Sequence, residues 1–354
     1  MAREWRDLDV PAARLRLAPT LLSGMSFRWR RRASDGVFEG VLGADAYELR
    51  ETERSVQFRV LSAAPAVDAE ARLRAHLSLD RGVDVHSWLT RLRAPPPCFA
   101  AAASALGGVR VLTVDKLEAV VAFMGSANNN IKRNMQMVEA LCAAFDSSRV
   151  PLGDDITDAG GASPNPAAQH FRFPTVAQLL ELTVEQLWAL GWGYRAPRLH
   201  KLVRELAERG SERYLESLAS LPEHEARVAL CELSGVGRKV ADCVLLFAYA
   251  HDGCVPVDTH CLQLAQTRIL PSIRGLSLTP AVYIRIVARF HELFGASHAG
   301  WAFMVLFVGE LSDFKRHVAA RLAPAGPTDA QGAGEAATPP PAQHPDSAGH
   351  GRRE

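Results

Sequence analysis

The sequence predicts an α+β protein in which a small antiparallel sheet precedes a larger helical body. Two observations carry that expectation. Between residues 20 and 62 lie short pieces with strand character, "MSFRW", "VFEGVLG", "AYELRET" and "SVQFRVL". Turn-forming residues (Ser34-Asp35-Gly36, then Gly43-Ala44-Asp45) separate them, which is the pattern of a meander. From about residue 114 onward the apolar residues recur at helical spacing instead.

The elements follow in order. A helical stretch is expected around 68–76, and the proline-rich "APPPC" breaks the chain after it. Amphipathic segments then run from "DKLEAVVAFMGSA" and "IKRNMQMVEALCAAF" through "RLHKLVRELAERG" and "HEARVALCEL". They continue through "THCLQLAQTRI" and "YIRIVARFHELFG" to "HAGWAFMVLFVGEL", with short polar turns between them. Residues 154–170, "DDITDAGGASPNPAAQH", read as a surface loop. The implied organisation is a sheet domain over 1–113, a helical domain over 114–321 and a tail over 322–354. The tail has almost nothing to bury and is expected to be disordered.

Composition bounds the function classes. A chain of 354 residues with 48% hydrophobic and 22% charged residues is ordinary for a globular protein. It holds no apolar run near 18 residues, so no bilayer span is encoded and no membrane partner is expected. The six cysteines (98, 142, 231, 243, 254, 261) are scattered with no secretory signal ahead of them, so a reducing intracellular compartment is expected. The N-terminus is arginine-rich but carries acids too, a weak organelle-targeting candidate. Ahead of the tail, 38 basic residues face 35 acidic ones. So mild an excess means that any nucleic-acid surface must come from a local arrangement, such as "FRWRRR" at 27–32.

The stretch "LSGVGRKVADC" (233–243) has the form of a helix-hairpin-helix turn. Its glycines, Gly235 and Gly237, let backbone N–H groups converge at the start of the next helix, an anion site suited to DNA phosphate. Hairpins of this kind also serve non-catalytic DNA-binding modules, so the turn leaves chemistry open. Lys239 sits at the positive end of a helix, where both the dipole and apolar neighbours disfavour its charge. A neutral amine there is a nucleophile able to form a Schiff base; a charged one is a phosphate contact. Position alone leaves the two open. Asp258, in "VPVDTH", precedes another amphipathic helix and is expected to cap it. A carboxylate held by backbone N–H groups stays ionised and can stabilise a cationic sugar, so capping and catalysis do not compete.

Together, "LSGVGRKVADC" and "VPVDTH" resemble the helix-hairpin-helix, Gly/Pro-Asp glycosylase superfamily. Within it the chain resembles the 8-oxoguanine DNA glycosylase/AP lyases. "SGMSFRW", "SANNNIKR", "LGWGYRA" and "GWAFMVLF" extend the likeness in order from about residue 15 to about 315. The resemblance implies a twisted antiparallel sheet domain beside a helical one, double-stranded DNA with a damaged base as partner, a monomer, and no cofactor. It also implies a nuclear address, with the mitochondrion as a second. Carried over residue by residue, Lys239 is the nucleophile and Asp258 the assisting carboxylate. Gly24, Cys243, Pro256, Phe303 and Phe307 would form the damaged-base pocket. Asn128, Arg133, Tyr194 and Arg195 would hold the duplex at the orphaned cytosine, and His260 would contact phosphate.

Two positions depart from the family. Phe303 and Met25 stand where its members carry glutamine, which removes amide hydrogen-bonding capacity and shifts base identity onto the backbone of Gly24. Related enzymes with an iron–sulfur cluster need four cysteines after the catalytic region; no cysteine follows Cys261, so no metal is expected. The expected activity is removal of oxidised purine, 8-oxoguanine opposite cytosine, followed by strand cleavage. A glycosylase for another lesion, or a non-catalytic hairpin protein, is the alternative.

Overall fold

The computed structural model describes residues 4–11, 13–62, 68–81, 85–92, 94–152 and 170–322. The loop expected over 154–170, its last residue apart, and the tail from 323 lie outside them.

Five antiparallel strands form the described sheet: β1 (Arg6–Asp7), β2 (Trp29–Arg31), β3 (Phe38–Leu42), β4 (Asp45–Glu51) and β5 (Val56–Val60), in the order β1-β5-β4-β3-β2. Strands β2 to β5 are the expected meander. The first piece, "MSFRW", becomes a strand only at Trp29, because Gly24 bends the chain at φ +83° just before it. Strand β1 pairs at Arg6↔Phe58 and Asp7↔Gln57; two residues carry no readable periodicity.

In the basic run at 27–32, Arg30 and Arg32 have carboxylate partners within the protein, while Arg31 is exposed. Arg30 pairs with Glu39 at 2.9 Å and with Glu139 at 3.0 Å. Arg32 pairs with Asp35, Glu39 and Glu48 at 2.7, 2.5 and 2.7 Å. Arg28 donates to the carbonyl of Phe171 and lies 3.8 Å from buried Glu118. Strand pairing places Arg30 opposite Glu39 and Glu39 opposite Glu48, so the carboxylates on the neighbouring strands neutralise the arginines.

The helical part begins earlier than residue 114. Helices Val85–Arg91 and Pro97–Ala105 precede it, the second starting on the proline run, where Pro97 opens the first turn without needing an N–H partner. Pro97–Ala105 packs on the C-terminal helices Ala299–Glu310 and Ser312–Leu322, so by contact it belongs with the helical body. The expected segments otherwise form where their caps place them. Asp115 accepts from Leu117 N and Glu118 N to start Lys116–Gly125, and Thr175 and Thr183 each close a capping box with a glutamine three residues on. "THCLQLAQTRI" departs from plain helix, since Thr259–Leu264 continues as a π-turn over Ala265–Ile269. One continuous apolar core joins sheet and helices, from Trp29 and Phe58 to Phe290 and Trp301.

Candidate active site

The hairpin consists of helix Glu223–Cys231, a turn through Gly235 and Gly237, and helix Arg238–Ala248. Gly235 has φ +83°, and a Cβ there would lie 2.9 Å from Met124 Sδ, so both conformation and space require glycine. Glu205 anchors the turn from a neighbouring helix, accepting from Ser234 N and Ser234 Oγ at 2.7 Å each. No side chain caps the second hairpin helix and no acid lies in its first turn, so its positive end is shared with Arg238 and Lys239 without a capping acceptor.

That helix packs on Lys116–Gly125, with the rings of Phe247 and Phe123 stacked at 5.1 Å. The packing brings Lys239 to the far end of the neighbouring helix. Its Nζ donates to Ser126 Oγ at 3.0 Å and lies 5.9 Å from the Phe123 ring centre. Asp258 caps Thr259–Leu264 through Oδ1, which accepts from Cys261 N at 2.8 Å. Lys239 and Asp258 are each half-buried. They line an open cavity and no ion pair joins them.

The cavity measures about 270 Å³, near the lower end of ligand sites, which span about 300–1,000 Å³. Of the expected residues, Gly24, Lys239, Asp258, His260 and Phe307 line it. Gly24 has φ +83°, and a Cβ there would come within 3.1 Å of Ile131, so only glycine lets the backbone form this wall. His260 meets the Phe307 ring edge to face at 6.5 Å. Ser126 and Asn130, within "SANNNIKR", also line the cavity although neither is an expected site residue, and so does Asn134, which lies outside every motif. Asn134 lies on the buried face of an amphipathic helix, where an asparagine among apolar positions is the one signal that sequence offers.

Three expected pocket residues sit behind the wall. Cys243 is 4% exposed, and burial pushes its thiol up to about 11 against the pull of Lys239, so it is no nucleophile near neutral pH. Pro256 is buried in the segment leading to Asp258. Phe303 is 4% exposed, with its ring between those of Phe290 and Phe307. Met25 is wholly buried in the core. Neither Phe303 nor Met25 lines the cavity: Phe303 is turned into the core from its helix, and Met25 is buried in the bend after Gly24.

On the far side of Ser126, Asn128 and Arg133 are exposed and Tyr194 is 50% exposed. Arg195 differs from expectation. It is 3% exposed and its guanidinium donates to the carbonyls of Ala127 and Asn128, with Tyr194 stacked 4.3 Å from it. It braces the turn that presents Asn128, which itself has φ +49°. Asn130 caps the next helix, accepting from Arg133 N at 2.8 Å.

The second hairpin helix thus presents an amine to a cavity that a helix-capping carboxylate also lines. Residues 7–120 match the family described as 8-oxoguanine DNA glycosylase, N-terminal domain. The chain is 32% identical over 312 residues to an N-glycosylase/DNA lyase of Arabidopsis thaliana, covering 87% of this chain and 80% of that one. It is 28% identical over 351 residues to the N-glycosylase/DNA lyase of Saccharomyces cerevisiae, covering 88% and 87%. The fold is similar to that of the 8-oxoguanine glycosylase/lyase of Clostridium acetobutylicum, with TM-score 0.68 and 24% identity over 86% of this chain and 98% of that one. The chain belongs to the N-glycosylase/DNA lyase family.

Proposed function

We propose that this chain is a bifunctional base-excision repair enzyme that releases 8-oxoguanine opposite cytosine from double-stranded DNA and then cleaves the strand. The observation that carries the reading is Lys239 Nζ on the wall of the cavity that also exposes Asp258. Phosphates of the damaged strand would sit on the hairpin N–H groups, independent of sequence. Extruding a nucleotide costs a few kcal/mol of stacking and pairing, and in this reading the exposed Tyr194, Asn128 and Arg133 would fill and grip what is left. With the base in the cavity, its sugar faces Lys239 and Asp258.

In this reading the deprotonated amine of Lys239 attacks C1′ as the bond to the base breaks, and the base leaves with its electron pair and takes up a proton. Asp258 stabilises the positive charge that develops on the sugar. Ring opening gives a protonated Schiff base, loss of a C2′ proton expels the 3′ phosphate, and water then releases the lysine. Gly24 supplies backbone to the base-facing wall, beside the polar side chains of Ser126, Asn130 and Asn134. The reading takes the enzyme as a monomer with a nuclear address.

A panel of duplexes, each with one lesion, tests it. Excision fastest on 8-oxoguanine, and faster opposite cytosine than opposite adenine, is the expected result. Faster excision of another lesion would reassign the substrate, and no excision of any lesion would leave a DNA-binding protein without chemistry.

A further inference from the structure

Asp258 must be held at a fixed distance from Lys239, yet the segment that carries it, Cys254 to Asp258, is neither helix nor strand. No sheet ladder fixes its position, and Pro256 has no N–H to offer. The amide adjacent to Asp258 is that of Val257, a residue 1% exposed, and it donates to the hydroxyl of Tyr283 at 3.1 Å. That hydroxyl donates in turn to Asp242 Oδ2 at 2.5 Å, and the carbonyl of Val255 lies 3.3 Å from it. Asp242 is three residues beyond Lys239 on the second hairpin helix and is 2% exposed. Its other oxygen accepts from Arg227 Nε at 2.6 Å, and Arg227 is anchored by Glu223 at 2.6 Å on the first hairpin helix. The Tyr283 ring is covered by the guanidinium of Arg238 at 4.5 Å.

We infer that Tyr283 is a positioning residue for catalysis, its hydroxyl coupling the helix that carries Lys239 to the segment that carries Asp258 through buried Asp242. The inference rests on the glycosylase reading above. Stability alone does not account for the arrangement, since a buried charge network is often no more stabilising than apolar side chains of the same volume. What it supplies is a defined spacing. Burial, together with the neighbouring Asp242 carboxylate, holds the phenol in its protonated, donating form. Misplacing a reacting group by about 1 Å costs on the order of a hundredfold in rate, and removing this hydroxyl frees the amide beside Asp258.

Tyr283→Phe keeps the ring, its packing and the Arg238 contact while deleting the hydroxyl. Single-turnover excision of 8-oxoguanine at saturating enzyme should fall roughly ten- to a hundredfold, with the Kd for the lesion duplex within about twofold of wild type. Borohydride trapping should slow in parallel. Asp242→Asn, which keeps an acceptor of the same shape, should fall between the two. A lowered melting temperature with an unchanged excision rate would mark Tyr283 as purely structural and overturn the inference. Should Tyr283→Phe fail to fold, Asp242→Asn decides, and a wild-type rate there overturns it equally. A wild-type protein that excises nothing would instead overturn the glycosylase reading itself.

Discussion

Two basic stretches, 28–32 on the sheet and 238–239 at the hairpin, look alike as sequence and meet opposite environments in the fold. Arg30 and Arg32 each face two or more carboxylates, of which Glu39 and Glu48 are only 5% and 3% exposed. Arg238 reaches Asp242 at 3.9 Å, and Lys239 hydrogen-bonds to Ser126. The first cluster has its counter-charges built in. The second lacks an acid in its first helical turn and sits at the positive end of a helix, an arrangement that leaves a place for an anion. A run of arginines therefore says little about DNA until the partner strands are known.

The largest expected effect belongs to the second cluster. Lys239→Gln should reduce base release and strand cleavage to background while leaving duplex Kd within about threefold, because affinity is spread over many phosphate contacts. Base release that survived in this variant would mean that water attacks the sugar. Asp258→Asn should lower single-turnover excision by about a hundredfold or more at a stability cost under about 1 kcal/mol, since asparagine caps a helix about as well as aspartate. A stability loss with full activity would reduce Asp258 to its cap.

Arg32→Ala tests the first cluster. It leaves the buried carboxylates of Glu39 and Glu48 short of a partner and should cost about 2–4 kcal/mol by urea unfolding. DNA affinity of the folded variant and its dependence on salt should not change. Arg238→Ala should do the reverse, with near-native stability but a salt slope for DNA binding shallower by about one. If Arg32→Ala changed that slope instead, the sheet would be part of the DNA surface.

The proximity of the sheet to the active-site helices also sets the response to acid. Burial pushes His76 and His170 down to about 4, and it pushes Glu118 up to about 7 despite Arg28. Between pH 4.5 and 6.5 the unfolded chain binds the protons of both histidines while the fold binds that of Glu118. The two opposed contributions leave one net proton taken up on unfolding, so stability should fall on acidification by roughly 1 kcal/mol per pH unit. Glu118→Gln removes the opposing group, and the slope over that window should roughly double. An unchanged slope would show that Glu118 is ionised throughout.

Local features of this fold are legible in the amino-acid sequence. The meander shows in its turn residues, the helices in their spacing and caps, and Lys239 and Asp258 in short motifs with a physical reason for each residue type, while Gly24 is reached only through the family resemblance. What the sequence hides depends on contacts distant along the chain. Nothing in "FRWRRR" shows that Glu39 and Glu48 lie on the adjacent strands. Phe303 looks like a pocket residue by position, but which side of a wholly apolar helix faces a cavity is a matter of packing. Arg195 reads as a DNA contact and is instead braced inward, because its donors satisfy the carbonyls of Ala127 and Asn128. Tyr283 gives no signal at all, being one apolar-face position in an amphipathic helix whose hydroxyl matters only through Val257 and Asp242.

Whether Lys239 is the nucleophile is decided by reductive trapping. A duplex carrying 8-oxoguanine opposite cytosine is incubated with enzyme and sodium borohydride, and the cross-linked peptide is sequenced. A covalent complex on Lys239, lost in Lys239→Gln and retained in Lys116→Gln, is the predicted result. A cross-link on another lysine, or excision of the base with no trapped complex, would contradict it.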